Sequence, residues 1–225
     1  MSDKRTTIGT ITAAALSLGA AEAGAADRAG VAERVQNDAF QSTVGIGFPV
    51  KQHDDVFQNA KVYTKQYGSM DVLLDDGTTL TVAPNSSLTI DEYVYAGRQN
   101  AGTLSLSLAK GAMRFVSGRM TSDSYKVSTQ VATIGVRGTT FWLNERPDGN
   151  LEVWTIDGTV TAAPVNSTQT FTFNAPAYAL CSDAGCEQGD VPPIPATYPL
   201  DPTDAGQDDG LGDEEGGEGG ESGFP

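Results

Sequence analysis

The stretch that decides the fold reads Met70-Asp71-Val72-Leu73-Leu74-Asp75-Asp76-Gly77-Thr78-Thr79-Leu80-Thr81-Val82. Two runs rich in Val, Leu and Thr flank an Asp-Asp-Gly turn. Asp-Gly supplies the positive φ angles that a tight hairpin turn requires. This stretch therefore predicts two antiparallel strands joined by a turn.

The strand pattern continues on both sides of the hairpin. Leu104, Leu106 and Leu108 alternate with Ser105 and Ser107, which places three leucines on one face of a strand. The 26 Gly and 11 Pro also suit short strands joined by turns. We therefore predict an all-β fold of about ten to twelve short strands.

Turn glycines recur along the predicted strands, at Gly77, Gly111, Gly138 and Gly158. Asp76-Gly77-Thr78 also resembles Asp157-Gly158-Thr159. A degenerate repeat of this kind favours stacked strand–turn–strand units, as in a β-solenoid or β-roll. A β-sandwich is the alternative.

The chain length fits one core with tails. We expect residues 26–43 to form an N-terminal arm, in which the spacing of Val31, Val35 and Phe40 also fits a short helix. The β domain is predicted over 44–180 and a disulfide loop over 181–190. Residues 191–225 contain too little apolar surface to fold and predict a disordered acidic tail.

Residues 1–25 have the features of a signal peptide. Lys4 and Arg5 precede an uncharged stretch over 8–21 and the small-residue site Ala23-Gly24-Ala25. A flexible, alanine-rich cytosolic leader is the alternative. Export predicts a periplasmic, cell-surface or secreted protein. No later stretch has the roughly 20 apolar residues that span a bilayer, so we expect no stable membrane insertion after cleavage.

The formal net charge is −15, and nine acidic residues lie after residue 200. This charge repels phosphate backbones and disfavours binding to nucleic acid. The tail could hold cations only weakly, since its carboxylates do not follow the spacing of a calcium-binding loop. Cationic partners remain possible.

The two cysteines, Cys181 and Cys186, flank the turn sequence Ser182-Asp183-Ala184-Gly185. In an oxidising compartment we expect them to form a disulfide, with free thiols as the alternative. A zinc site would need ligands beyond two thiolates and His53, the only histidine. We therefore predict no metal site.

The sequence shows no constellation that indicates catalysis. His53 lies in a predicted loop and no Gly-x-Ser-x-Gly motif accompanies it. The acidic pair Asp75-Asp76 occupies a turn, where Asp is favoured for its turn geometry. There is no nucleotide-binding glycine motif. We expect a protein without enzymatic activity, cofactor or catalytic residue.

The segment Ala132-Thr133-Ile134-Gly135-Val136-Arg137-Gly138-Thr139 is conspicuous because it places an arginine between two glycines. As a strand, it would place Ala132, Ile134, Val136 and Gly138 together on one face. The guanidinium of Arg137 suits a bidentate pair with Asp76 or Asp157, which predicts a structural clamp. Contact with an anion or a partner is the alternative.

Four ordered motifs in this chain resemble those of the FecR domain family. They are Asp76-Gly77-Thr78, the segments 84–95 and 108–118, and Val131 to Thr139. The structural signature comprises Asp76, Gly77, Thr78, Gly111, Gly135, Arg137, Gly138 and Thr139.

The resemblance implies a bacterial, extracytoplasmic β-rich domain of the kind found in iron-dicitrate-type regulators. Those regulators also carry anti-sigma helices and a transmembrane segment, which this sequence does not show. We therefore expect a stand-alone FecR-like scaffold that binds a protein or small ligand, with signalling as its candidate role. The alternative is a secreted or cell-surface structural module with a cation-binding acidic tail.

Overall fold

A computed structural model of the chain describes residues 27–43, 45–97 and 102–195. These residues form fifteen β-strands and one 3₁₀ turn, Ser122–Ser124. The strands are β1 (Arg28–Gln36), β2 (Ala39–Ser42), β3 (Phe48–Pro49), β4 (Asp55–Phe57), β5 (Lys61–Thr64), β6 (Ser69–Leu74), β7 (Thr79–Val82), β8 (Ser87–Val94), β9 (Thr103–Val116), β10 (Tyr125–Ser128), β11 (Ala132–Glu145), β12 (Leu151–Pro164), β13 (Phe171–Asn174), β14 (Ala177–Cys181) and β15 (Cys186–Gly189). The predicted all-β class is confirmed.

All fifteen strands belong to one connected sheet with two branches. The long strands β9, β11 and β12, of 14 residues each, run through both branches. In the first branch the order is β4-β1-β6-β7-β9-β11-β12-β14-β15. In the second it is β3-β2-β5-β8-β9-β10-β11-β12-β13. Solenoid-like stacking and the sandwich alternative remain predictions.

The sequence hairpin is confirmed as β6 and β7. Leu73 lies opposite Thr79, Val72 opposite Leu80, and Met70 opposite Val82. Gly77 has a φ of 87° in the turn, the left-handed conformation that the Asp-Gly pair predicts.

The core lies on the inner faces of both branches. Leu104, Leu106 and Leu108 of β9 are fully buried, as their alternation predicts. Phe115 stacks on Phe141 with ring centroids 5.1 Å apart and meets Tyr125 edge-on at 5.5 Å. Tyr125 belongs to β10, which occurs only in the second branch, so this aromatic cluster joins the two branches.

The expectation of a helix in the N-terminal arm is wrong, because residues 28–42 form strands. β1 pairs with β6 over Gly30 to Gln36 and with β4 at its beginning. Ala29 and Ala32 are fully buried by this pairing, whereas Val31 is only half-buried. The helical spacing of the valines is overridden by long-range strand pairing.

The C-terminal part of the sheet carries the predicted disulfide. Cys181 and Cys186 lie opposite each other on β14 and β15, with an S–S distance of 2.08 Å. Residues 191–195 are described and contact the sheet, although the tail was predicted to begin there. The predicted signal peptide over 1–25 and the rest of the acidic tail lie outside the described residues.

Across the described part of the chain, no helix has the length and apolarity needed to cross a membrane.

Candidate functional site

The predicted signature residues Asp76, Gly77 and Thr78 form the centre of a buried hydrogen-bond network. The Asp76 side chain is fully buried. The Asp76 carboxylate accepts two hydrogen bonds from Thr78, one from the backbone N at 3.0 Å and one from Oγ1 at 2.7 Å. The hydroxyl of Tyr125 donates to Asp76 Oδ2 at 2.9 Å. A fully buried carboxylate needs such donors, and this one obtains them from neutral groups.

Two tyrosines complete the network from distant strands. The backbone N of Asp76 donates to the Tyr93 hydroxyl at 2.7 Å, and that hydroxyl lies 3.4 Å from Asp76 Oδ1. Burial, together with the negative charge of Asp76, raises the pKa of Tyr125 to about 12 and also raises the pKa of Tyr93. Both phenols therefore stay protonated and able to donate over the neutral range.

Gly118 closes the network on its remaining side. Its backbone N donates to Thr78 Oγ1 at 3.1 Å. A Cβ atom at this position would lie 2.5 Å from Thr78 N and 2.6 Å from Asp76 Oδ2. Sequence reasoning did not select Tyr93, Tyr125 or Gly118 for this role, because each reaches Asp76 only through the folded sheet. The network is a structural lock between the hairpin turn, β8 and β10.

The structure corrects two expectations about the segment Ala132 to Thr139. Ala132, Ile134 and Val136 are buried on one face, as predicted, but Gly138 is exposed and Thr139 is buried. The alternation reverses because the register with β12 shifts between Arg137 and Thr140. Thr139 is then held by Ser117, whose Oγ accepts from the Thr139 backbone N at 3.0 Å.

The predicted Arg137 clamp is wrong. The Arg137 side chain is exposed, and within the described residues it forms no ion pair with Asp76 or Asp157. The Asp76 carboxylate is fully buried and already accepts hydrogen bonds from hydroxyl and amide donors, whereas Arg137 is exposed. The alternative interpretation, in which Arg137 is available to an anion or a partner, stays a prediction.

An open groove of about 670 Å³ lies where β9 bends at Lys110-Gly111. The groove is lined in part by Asn85, Lys110, Gly111, Gln130, Asn144 and Glu145. Glu145 is 8% exposed, and its Oε1 accepts from the Gln130 backbone N at 2.7 Å. Gln130 in turn donates from Nε2 to the Ala109 carbonyl at 2.9 Å. The groove thus offers a carboxyl group, amides and an exposed ammonium to a polar ligand.

No sequence motif indicated this groove, since its walls come from strand ends far apart in the chain. Among the residues described, no group of three or more His, Cys, Asp or Glu side chains could hold a metal ion. His53, the residue considered first for catalysis, is exposed in the turn before β4 and lies outside the groove.

Residues 60–161 match the family model described as FecR protein. The chain contains a FecR domain. The matched residues include the Asp76 network and all but one residue of the groove lining, Asp183. The resemblance inferred from the four sequence motifs is therefore confirmed for this segment.

Other comparisons show less similarity. No curated protein matches the chain. Two crystal structures of a protein described as an anti-sigma factor from Parabacteroides distasonis are similar, at 15% and 14% identity and TM-scores of 0.46 and 0.45. In both comparisons the match covers 57% of this chain and 58% of the other. The chain thus matches little more than half the length of that protein.

The outer face of the second branch, within and beside the FecR domain, carries two rows that consist mostly of serine and threonine. One row places Thr89, Ser107, Ser128 and Thr133 opposite one another across β8 to β11. A second row runs Ser105, Lys126, Gly135, Thr161 and Thr172 across β9 to β13. We call these two rows the Ser/Thr face, and Arg137 lies one step beyond the second row.

Gly135 keeps the Ser/Thr face closely packed. A Cβ atom on Gly135 would lie 2.6 Å from Thr161 Oγ1, directly across the strand pair. Glycine therefore lets the threonine side chain lie over the neighbouring strand. The signature residues Gly135 and Arg137 shape this outer face, whereas Asp76, Gly77 and Thr78 stabilise the interior.

The burial of Glu145 predicts a specific pH dependence for the stability of the FecR domain. Burial raises the pKa of its carboxyl group above the ordinary value, opposed by the hydrogen bond from Gln130. A carboxyl group whose pKa is higher in the folded than in the unfolded protein stabilises the fold at a pH below its unfolded-state pKa. This stabilisation is lost as the pH rises through its folded-state pKa. We expect Glu145→Gln to gain stability relative to the native chain as the pH rises from 4 to 7.

Urea unfolding of both chains across this pH range would measure the effect. Glu92→Gln is the matched control, because Glu92 is exposed on β8. A difference between Glu145→Gln and the native chain that stays flat with pH, or one that Glu92→Gln reproduces, would contradict the prediction.

Proposed function

We propose that this protein is a non-catalytic, extracytoplasmic FecR-domain scaffold that binds another protein and acts in signalling. The observation that carries the proposal is the FecR domain at 60–161, which includes the structural lock around Asp76. The broad outer faces of the described sheet suit recognition of a large surface better than turnover of a substrate.

The Ser/Thr face is the contact surface we propose. Small hydroxyl side chains lose little rotamer entropy when they are covered, and each both donates and accepts hydrogen bonds. Exposed Lys126 and Arg137 add positive charge to the face. Glu92, which lies opposite Ser105 of the second row, adds a negative charge, so a partner with complementary charges of both signs would be oriented on the Ser/Thr face.

The disulfide supports the extracytoplasmic location in this proposal. Disulfides persist in oxidising compartments and are rare in the cytosol. Cys181 is fully buried, and the bond ties the edge strand β15 to β14. Export would also agree with the predicted signal peptide.

The proposal is tested by pull-down of the tagged full chain from a periplasmic extract. We expect one stoichiometric partner, and we expect Arg137→Glu to reduce its recovery at least tenfold. Lys51→Glu is the matched control, since Lys51 is also exposed, undergoes the same charge reversal and lies outside the Ser/Thr face.

Failure to recover a partner, with the protein found at the cell surface or in the medium, would overturn the scaffold proposal and favour the structural module. Equal recovery by Arg137→Glu and the native chain would instead contradict the choice of the Ser/Thr face.

A further inference from the structure

The segment Val191-Pro192-Pro193-Ile194-Pro195, which we call the strap, lies on an aromatic surface of the first branch. Trp154 Nε1 donates to the Pro192 carbonyl at 3.3 Å. Ile194 packs against the cluster formed by Trp142, Trp154 and two alanines. Both tryptophans are only 3% exposed. The strap thus binds to an aromatic surface of its own chain.

The surface beneath the strap is formed by three adjacent strands. Trp142 on β11 lies opposite Trp154 on β12, and Trp154 lies opposite Tyr178 on β14. The Trp154 and Tyr178 ring centroids are 5.2 Å apart. Both tryptophans belong to a cluster separate from the main core, so they face away from the interior. We call this surface the tryptophan face.

The strap contacts the sheet without pairing as a strand. Its residues pair with no strand, and β15 ends before it at Gly189. Proline has no backbone N–H to donate and a restricted φ angle, so it favours extended structure with little entropy left to lose. Aromatic side chains that stack on proline rings and donate to their carbonyls are the usual receptors for such peptides.

We propose that the tryptophan face is a docking site for an extended, proline-containing peptide of a partner protein, and that the strap occupies this site in cis. A partner segment of similar chemistry would displace the strap and gain the Trp154 hydrogen bond and the apolar contact of Ile194. Because the strap is tethered, it competes at a high effective concentration and keeps the free site closed. This surface is distinct from the Ser/Thr face, so the two proposals can fail separately.

The first test uses tryptophan fluorescence, because Trp142 and Trp154 are the only two tryptophans in the chain. In the full chain, Ile194→Asp should release the strap, shift the emission to longer wavelength and increase acrylamide quenching several-fold. Val191→Asp is the matched control, since Val191 is in the same strap but is 54% exposed. The same shift in both variants, or in neither, would overturn the proposal.

The second test adds a synthetic peptide with the sequence of residues 190–195 to the full-length Ile194→Asp chain. We expect a saturable return of the emission to shorter wavelength, and at least tenfold weaker binding to the native chain, whose strap competes. The same peptide with aspartate in place of isoleucine is the negative control. If binding does not saturate, or if the native and variant chains bind the peptide equally, the proposal that strap and peptide compete for one site would be overturned.

Ile194→Ala is the control for a folding defect in Ile194→Asp. It shortens the side chain without adding a charge, and far-ultraviolet circular dichroism confirms the sheet in each variant before titration. We expect Ile194→Ala to bind the peptide with an affinity between those of the native chain and Ile194→Asp. An affinity outside that order would contradict competition by the strap.

Discussion

Asp76→Ala is expected to lower the free energy of unfolding by about 3–5 kcal/mol. The substitution removes a fully buried carboxylate that accepts from the backbone N and Oγ1 of Thr78 and from the hydroxyl of Tyr125. These donors would remain buried without acceptors, and an unsatisfied buried donor costs its full desolvation energy. The loss should appear as a lower urea midpoint at an unchanged m-value.

The neighbouring Asp75 provides the matched control. It lies in the same turn, but its ion pair with Arg28 is solvent-exposed, at 45% for the Asp75 side chain. Exposed ion pairs contribute at most about 1 kcal/mol. Asp75→Ala should therefore shift the midpoint only slightly, and equal losses in the two variants would show that Asp76 has no special structural role.

The strands themselves were largely predictable, because their burial follows from local alternation. Leu104, Leu106 and Leu108 are buried and the intervening serines are not, as the period of two requires. The hairpin around Gly77 was predictable for the same reason, since its turn chemistry is contained within the sequence of the turn.

The partners of Asp76 were not predictable from local sequence. Tyr93 and Tyr125 are 17 and 49 residues away, and they reach the carboxylate only because β8 and β10 both flank β9. Sequence reasoning matched the carboxylate with the most conspicuous cation, Arg137. In the folded chain, neutral hydroxyl groups satisfy the buried acceptor, and the arginine remains in solvent.

The helix at the N-terminal end was predicted wrongly, and the contacts of residues 191–195 were not predicted, because the local sequence was considered without the sheet. β1 has the spacing of a helix, but β6 and β4 on its two sides make it an interior strand. The strap is as rich in proline as a disordered tail, yet it contacts the tryptophan face through Pro192 and Ile194. In both cases, long-range contacts with the sheet offset the conformational entropy that the segment loses when it becomes ordered.

Gly158→Ala is expected to lower the free energy of unfolding by about 2–4 kcal/mol. Gly158 lies at the bend of β12 with a φ of 74°, a conformation that costs an alanine free energy. An added Cβ would also collide with the Gly138 carbonyl oxygen and would lie 2.8 Å from Thr139 Cγ2. Because β11 and β12 form the longest strand pair, the displacement would propagate along both.

Gly138→Ala separates backbone strain from this collision. Gly138 has a similar φ of 57°, but a Cβ there would meet no atom within 4 Å. This variant should lose only about 1 kcal/mol, the cost of the left-handed conformation itself. Urea midpoints of the two variants, measured with the disulfide intact, give the difference directly. If both variants lose the same free energy of unfolding, then the close contact between the bends in β11 and β12 does not stabilise the sheet. Backbone strain alone would then explain why both positions require glycine.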